Sequence, residues 1–78
     1  MYYREGMSDL ELLSVGALMR DMADAGLVRG QVGTIVEVLG PGVFEVEFSD
    51  DGGRTYASLA LQAHDILRLH HEPLHEAA

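Results

Sequence analysis

The stretch Val43-Phe44-Glu45-Val46-Glu47-Phe48-Ser49-Asp50-Asp51-Gly52-Gly53-Arg54-Thr55-Tyr56-Ala57-Ser58-Leu59-Ala60-Leu61 decides the fold. Phe44, Val46 and Phe48 alternate with Glu45 and Glu47, giving one apolar and one charged face. Successive strand side chains point to opposite sides, so this is the pattern of an antiparallel strand with one face on a core. Asp50-Asp51-Gly52-Gly53 follows, made of residues that tolerate the backbone of a tight hairpin turn. The alternation then resumes, with Ala57, Leu59 and Leu61 inward and Tyr56, Ser58 and Ala60 outward. The unit reads as a β-hairpin.

Working outward, Val32 to Leu39 is rich in β-branched residues, which suit a pleated strand. Val32, Thr34, Val36 and Val38 are assigned to its core face, and Ile35, Glu37 and Leu39 to the outside. Gly40-Pro41-Gly42 ends the strand, because Pro41 fixes its φ and glycine permits a reversal. On the other side, Ala63-His64-Asp65 is a short connection built on an Asp. It leads to a last strand over residues 66–69, with Leu67 and Leu69 on one face and Ile66 outside. At the N-terminal end, Ser8-Asp9-Leu10-Glu11 fits a capping box and predicts a single helical turn near the N-terminus. A first strand over residues 12–19 follows, and residues 21–29 read as a long, acidic, partly exposed loop. The expected fold is all-β, a five-stranded antiparallel meander curled into a small partly open barrel, which limits exposed strand edges. Residues 9–69 form this domain. Residues 1–8 read as an irregular extension, its first six ahead of the working start that Met7-Ser8-Asp9 resembles, and residues 70–78 as a flexible tail rich in His and Glu.

Arg29-Gly30-Gln31-Val32-Gly33-Thr34-Ile35-Val36-Glu37-Val38 looks like the approach to the second strand of SH3-like barrels. In such barrels a spaced glycine pair lets the chain turn before a β-branched run. Leu12-Leu13 to Leu18, Gly26-Leu27-Val28-Arg29-Gly30, Gly42 to Phe48 and Asp51 to Tyr56 extend the likeness. Over roughly residues 12–69 the chain resembles a family of short bacterial proteins known only as a domain of unknown function. That resemblance implies an SH3-like barrel and no catalytic residues. Gly30, Gly33, Gly42 and Gly52 are the expected structural turn positions, Gly33 through positive φ or a close backbone approach.

Composition narrows the function. Among 78 residues, 13 are acidic and five basic, for a net charge of −8. All five basic residues are Arg, and no basic stripe with interleaved aromatics exists to neutralise phosphates, which opposes nucleic-acid binding. No apolar run reaches the roughly 20 residues a membrane helix needs. The N-terminus has no apolar signal core, and Cys is absent, so the expected location is the cytoplasm. Gly30 and Gly33 lead into a strand rather than a helix, which removes them as a phosphate loop. Five aromatics, Phe44 and Phe48 among them in the core, are too few for a proline-groove peptide site. Imidazoles at 70, 71 and 75 could take Zn²⁺ or Ni²⁺, but a tail lacks the fold that holds four ligands, so no metal and no cofactor is expected. His64-Asp65 has no nucleophile beside it, and an outward strand face gives Glu45 and Glu47 no desolvation for acid–base work. A weak Arg54–Glu47 pair across the hairpin is expected.

What remains is a non-enzymatic protein-binding module. Its partner is expected to be basic, because acidic loops select oppositely charged surfaces. Candidate partner-binding residues are Asp21, Asp24, Asp50, Asp51 and Tyr56. Small acidic bacterial proteins often serve as antitoxins or immunity proteins, an analogy of class. The alternative is an accessory or self-assembling subunit, and a metal-binding tail ranks below both. So small a domain buries little surface, so a homo-oligomer is expected, formed through Ile35, Leu39, Tyr56, Ala60 and Ile66.

Overall fold

The structure is a computed structural model and describes residues 10–70. The expected extension at 1–8 and all but His70 of the tail lie outside the described residues. The architecture is all-β: β1 (Val15–Leu18), β2 (Val32–Gly40), β3 (Val43–Ser49), β4 (Thr55–Gln62) and β5 (Ile66–Arg68). All pairings are antiparallel, in the order β4-β3-β2-β1-β5. The outermost strands, β4 and β5, are consecutive in sequence and joined only by a 3-10 turn, Ala63–Asp65. In a flat five-stranded sheet they would lie roughly 19 Å apart, at about 4.8 Å per strand. A three-residue 3-10 turn advances only about 6 Å. The sheet therefore curls until the end of β4 meets the start of β5, and the result is the partly open barrel expected.

Phe44, Val46 and Phe48 of β3 form the centre of the core, as their alternation requires. Leu18, Ile35, Leu61 and Ile66 come from the other four strands, and Leu10 and Leu27 join them from outside the strands. Gly16 and Gly33 face each other across β1 and β2, both buried. A Cβ on Gly16 would run into the Ile66 side chain, and one on Gly33 would lie 2.7 Å from Val46 Cγ1. At both positions a neighbouring strand leaves no room for a side chain.

Several expected facings are reversed. Ile35 is 1% exposed, whereas Val32, Val36 and Val38 lie on the surface. The core face of β2 begins at Gly33, which has no side chain to announce it. Register shifts between Ile35 and Glu37 and between Val38 and Gly40 then break the alternation. On β5 the buried residue is Ile66, and Leu67 is outside. Gly33 has no positive φ and sits inside β2, so its role is the close approach. Gly30 and Gly42 do take left-handed backbone, and in the β3–β4 turn that position is Gly53 rather than Gly52.

The helical turn is absent from the described residues. Glu11 to Ser14 instead makes a reverse turn, with the Ser14 amide on the Glu11 carbonyl at 2.9 Å and the Glu11 amide on Ser14 Oγ at 3.0 Å. Leu13 takes φ of 69° there and is 70% exposed. The first strand is accordingly Val15–Leu18 rather than residues 12–19. Glu47 faces Thr34 and Ser58 in register, so the Arg54–Glu47 pair is replaced by other contacts. Arg54 gives its amide to Asp50 Oδ1, and Ser58 Oγ donates to Glu45 at 2.7 Å.

Candidate functional site

Residues 19–31, between β1 and β2, form an ordered loop, and its stretch 21–29, with Asp21 and Asp24 against Arg29 alone, is the acidic loop expected. Met22 and Leu27 exchange backbone hydrogen bonds of 2.8 and 3.1 Å, closing a small hairpin around the 3-10 turn Ala23–Ala25. Leu27, 1% exposed, pins this hairpin into the core, with Met22 packed beside it. Side chains finish the loop. Asp21 Oδ1 accepts the Arg29 amide at 2.9 Å and Gln31 Oε1 accepts the Val28 amide at 2.6 Å. A loop so cross-linked keeps its shape before any partner arrives, which reduces the ordering cost of binding.

Where the loop passes β4 it leaves an open groove of about 480 Å³, lined by residues 20–25 and Leu59. Its walls include Met22, Ala23, Ala25 and Leu59, and its charged members are Arg20, Asp21 and Asp24. Arg20 is turned to a second partner. Its Nε donates to Asp65 Oδ1 at 2.8 Å, while the Gln62 amide donates to Asp65 Oδ2 at 3.1 Å. His64 Nε2 stands 3.7 Å from the same carboxylate. The connection at 63–65 is thus the Asp-built turn expected, closed as a capping box with Gln62.

Asp65 is 3% exposed. Burial disfavours its charged form, but the hydrogen bonds from Arg20 and Gln62 and the charges of Arg20 and His64 prevail. They hold its carboxyl below the ordinary value of 3.8. A carboxyl lowered on folding stabilises the fold fully above its unfolded pKa and loses that contribution as pH falls through the lower folded value. Asp65→Asn sets an NH₂ group against one of the two donors, Arg20 Nε or the Gln62 amide, whichever way it turns, and is expected to cost about 2 kcal/mol at neutral pH. Urea melts from neutral to acid pH should show the wild type losing more stability than the variant. Parallel pH profiles would contradict the assignment.

The five candidate residues separate by what they do. Asp50 Oδ1 accepts the amides of Gly52 and Arg54, so Asp50 builds its turn. Asp21 braces the loop while lining the groove. Asp24 lines the groove, and Asp51 lies exposed at the hairpin tip, neither making a side-chain hydrogen bond to another described residue. Tyr56 is joined to the loop's end by Gln31 Nε2, which donates to its hydroxyl at 2.9 Å. The register carries Asp50 and Asp51 to the end of β3 that pairs with the start of β2, where the acidic loop also arrives. Sequence reasoning missed Leu27 as the loop's anchor, and Arg20, Met22 and Leu59 as groove walls. Leu27 stands beside the equally apolar but exposed Val28, and a loop gives no period by which to choose between them.

Among the described residues no group of three or more His, Asp and Glu is placed to hold a metal, and no helix is long and apolar enough to cross a membrane. No curated protein and no solved structure matches the chain. A family model does match, from Leu12 in the turn before β1 to Arg68 at the end of β5. Those limits are the limits of the barrel. With residues 12–68 matched, the chain belongs to the family described as Domain of unknown function (DUF4926).

Proposed function

We propose that this chain is a non-enzymatic protein-binding module whose acidic loop takes a basic segment of a partner protein. The observation that carries this reading is the groove, where Met22 and Leu59 offer apolar contact beside Asp21 and Asp24. Lys and Arg side chains match such a surface, with an aliphatic stem for the apolar wall and a cationic head for the carboxylates. An antitoxin- or immunity-like role in the cytoplasm is the biological form this reading favours. Asp24→Lys is the informative variant, because the Asp24 side chain hydrogen-bonds no other described residue. In a pull-down from the native host, the wild type should retain a basic protein, less of it as salt rises, and Asp24→Lys should retain at least tenfold less. Retention indifferent to both salt and charge reversal would contradict the proposal.

A second reading, a self-assembling subunit, has its own observation. On the outer face of the sheet, Val32, Ala17 and Leu67 stand in register across β2, β1 and β5. Val32 is 46% and Leu67 53% exposed. This uncharged row, not Ile35 and Ile66, is the surface through which copies would associate. Light scattering at rising concentration, with Leu67→Glu as the control, distinguishes a homo-oligomer from a monomer of 8.5 kDa.

A further inference from the structure

The backbone of β4 has a direction that its side chains do not reveal. The Ala63 amide donates to the Gly42 carbonyl at 2.9 Å, toward β3, whereas the Gln62 amide turns the other way, to Asp65. Backbone groups alternate between the two sides of a strand. The N–H and C=O groups of Ser58 and Ala60 therefore point away from β3. β4 is the last strand on this side of the sheet, and no described backbone group meets them. Proteins normally blunt such an edge with charge, Pro or a bulge. From Thr55 to Gln62 there is no charged residue and no Pro, and the one register shift lies at the Thr55 end. Beside this edge lies the groove between Leu59 and residues 20–25.

We infer that β4 is a docking edge, to which an extended basic segment of a partner protein adds as a sixth strand, antiparallel or parallel, with its backbone on Ser58 and Ala60. This rests on the acidic-loop reading above and gives the partner its conformation. Strand addition supplies affinity through main-chain hydrogen bonds, while alternate side chains read the flanking surface. Here one set of side chains meets Leu59 and Met22, and cationic ones reach Asp21 and Asp24. A second copy of this chain suits the edge poorly. Each copy carries −8, and pairing β4 with β4 about a two-fold axis near Leu59 would bring two acidic loops toward one another.

The experiment uses the full chain and a synthetic peptide of β4's own length, eight residues, alternating Lys and Val. Binding should slow hydrogen exchange at the Ser58 and Ala60 amides at least tenfold, and the affinity should fall with salt. Ser58→Pro removes an outward amide without touching the ladder to β3, a place where an edge strand tolerates Pro. It should weaken the peptide at least tenfold with the circular dichroism unchanged, and Ala60→Pro serves if the first variant does not fold. If Asp24→Lys weakens the peptide but the two amides stay unprotected and both Pro variants bind normally, strand addition is overturned while the acidic-loop reading stands. If a Glu-Val peptide protects the amides as well as Lys-Val does, the edge stands and the acidic-loop reading falls. Amides that become protected with protein concentration alone identify the occupant as a second copy and overturn the proposal, as does a Lys-Val peptide that does not bind.

Discussion

Val46→Asp is expected to leave the chain unfolded at room temperature. Val46 is 2% exposed and lies in register between Ile35 of β2 and Leu59 of β4, at the middle of the curled sheet. A carboxylate there would have no partner, and neutralising it would still bury a polar group among side chains that cannot hydrogen-bond. The cost exceeds about 4 kcal/mol, the range of the most damaging single substitutions, against a total near 5 kcal/mol for a domain this small. Glu45→Ala on the opposite face removes one exposed hydrogen bond from Ser58 and should cost no more than about 1 kcal/mol. Circular dichroism and urea melts compare the two. A native spectrum from Val46→Asp, or equal midpoints for both, would mean that β3 faces the other way.

Gly33→Val should be the second most damaging change, for a reason of space rather than charge. A Cβ at this position meets Val46 Cγ1 at 2.7 Å, Phe48 Cδ2 at 3.0 Å and the Glu47 carbonyl oxygen at 3.0 Å. Val46 could rotate, but the Glu47 oxygen belongs to the β2–β3 ladder and cannot yield without breaking it. Valine adds two further carbons to the same crowded point. Overpacking a core costs roughly 1–3 kcal/mol, and the fixed backbone sets this case at or above about 3 kcal/mol. A denaturant midpoint unchanged from wild type would show that the sheet opens to admit the side chain.

The strands whose facing was legible are those where alternation carries polar side chains. Glu45 and Glu47 declare the outside of β3, and Tyr56 and Ser58 that of β4. β2 has apolar residues on both faces and glycine at its most crowded point, so its alternation read just as well upside down. Ile66 and Leu67 are adjacent and equally apolar, and only pairing with Leu18 and Ala17 decides between them. The turn at Leu13 was not readable, because leucine is a poor residue for left-handed backbone and nothing in the sequence announces it. In the site, composition alone disclosed the acidic loop. The Arg20–Asp65 bond joins residues 45 apart, and local spacing does not report such a contact.

The pairing of β1 with β5 has a consequence for how this barrel can be joined to other chains. The Leu69 amide donates to the Val15 carbonyl at 2.8 Å, so the chain enters and leaves the fold side by side. A domain whose ends adjoin can be set into a surface loop of a larger protein without stretching its host. It can also be recut, with its old ends linked and new ones opened at the exposed Asp51-Gly52 tip, where no strand pairing is lost. The loop that carries Asp21 and Asp24 and the open β4 edge would pass through either rearrangement unchanged, as a portable surface.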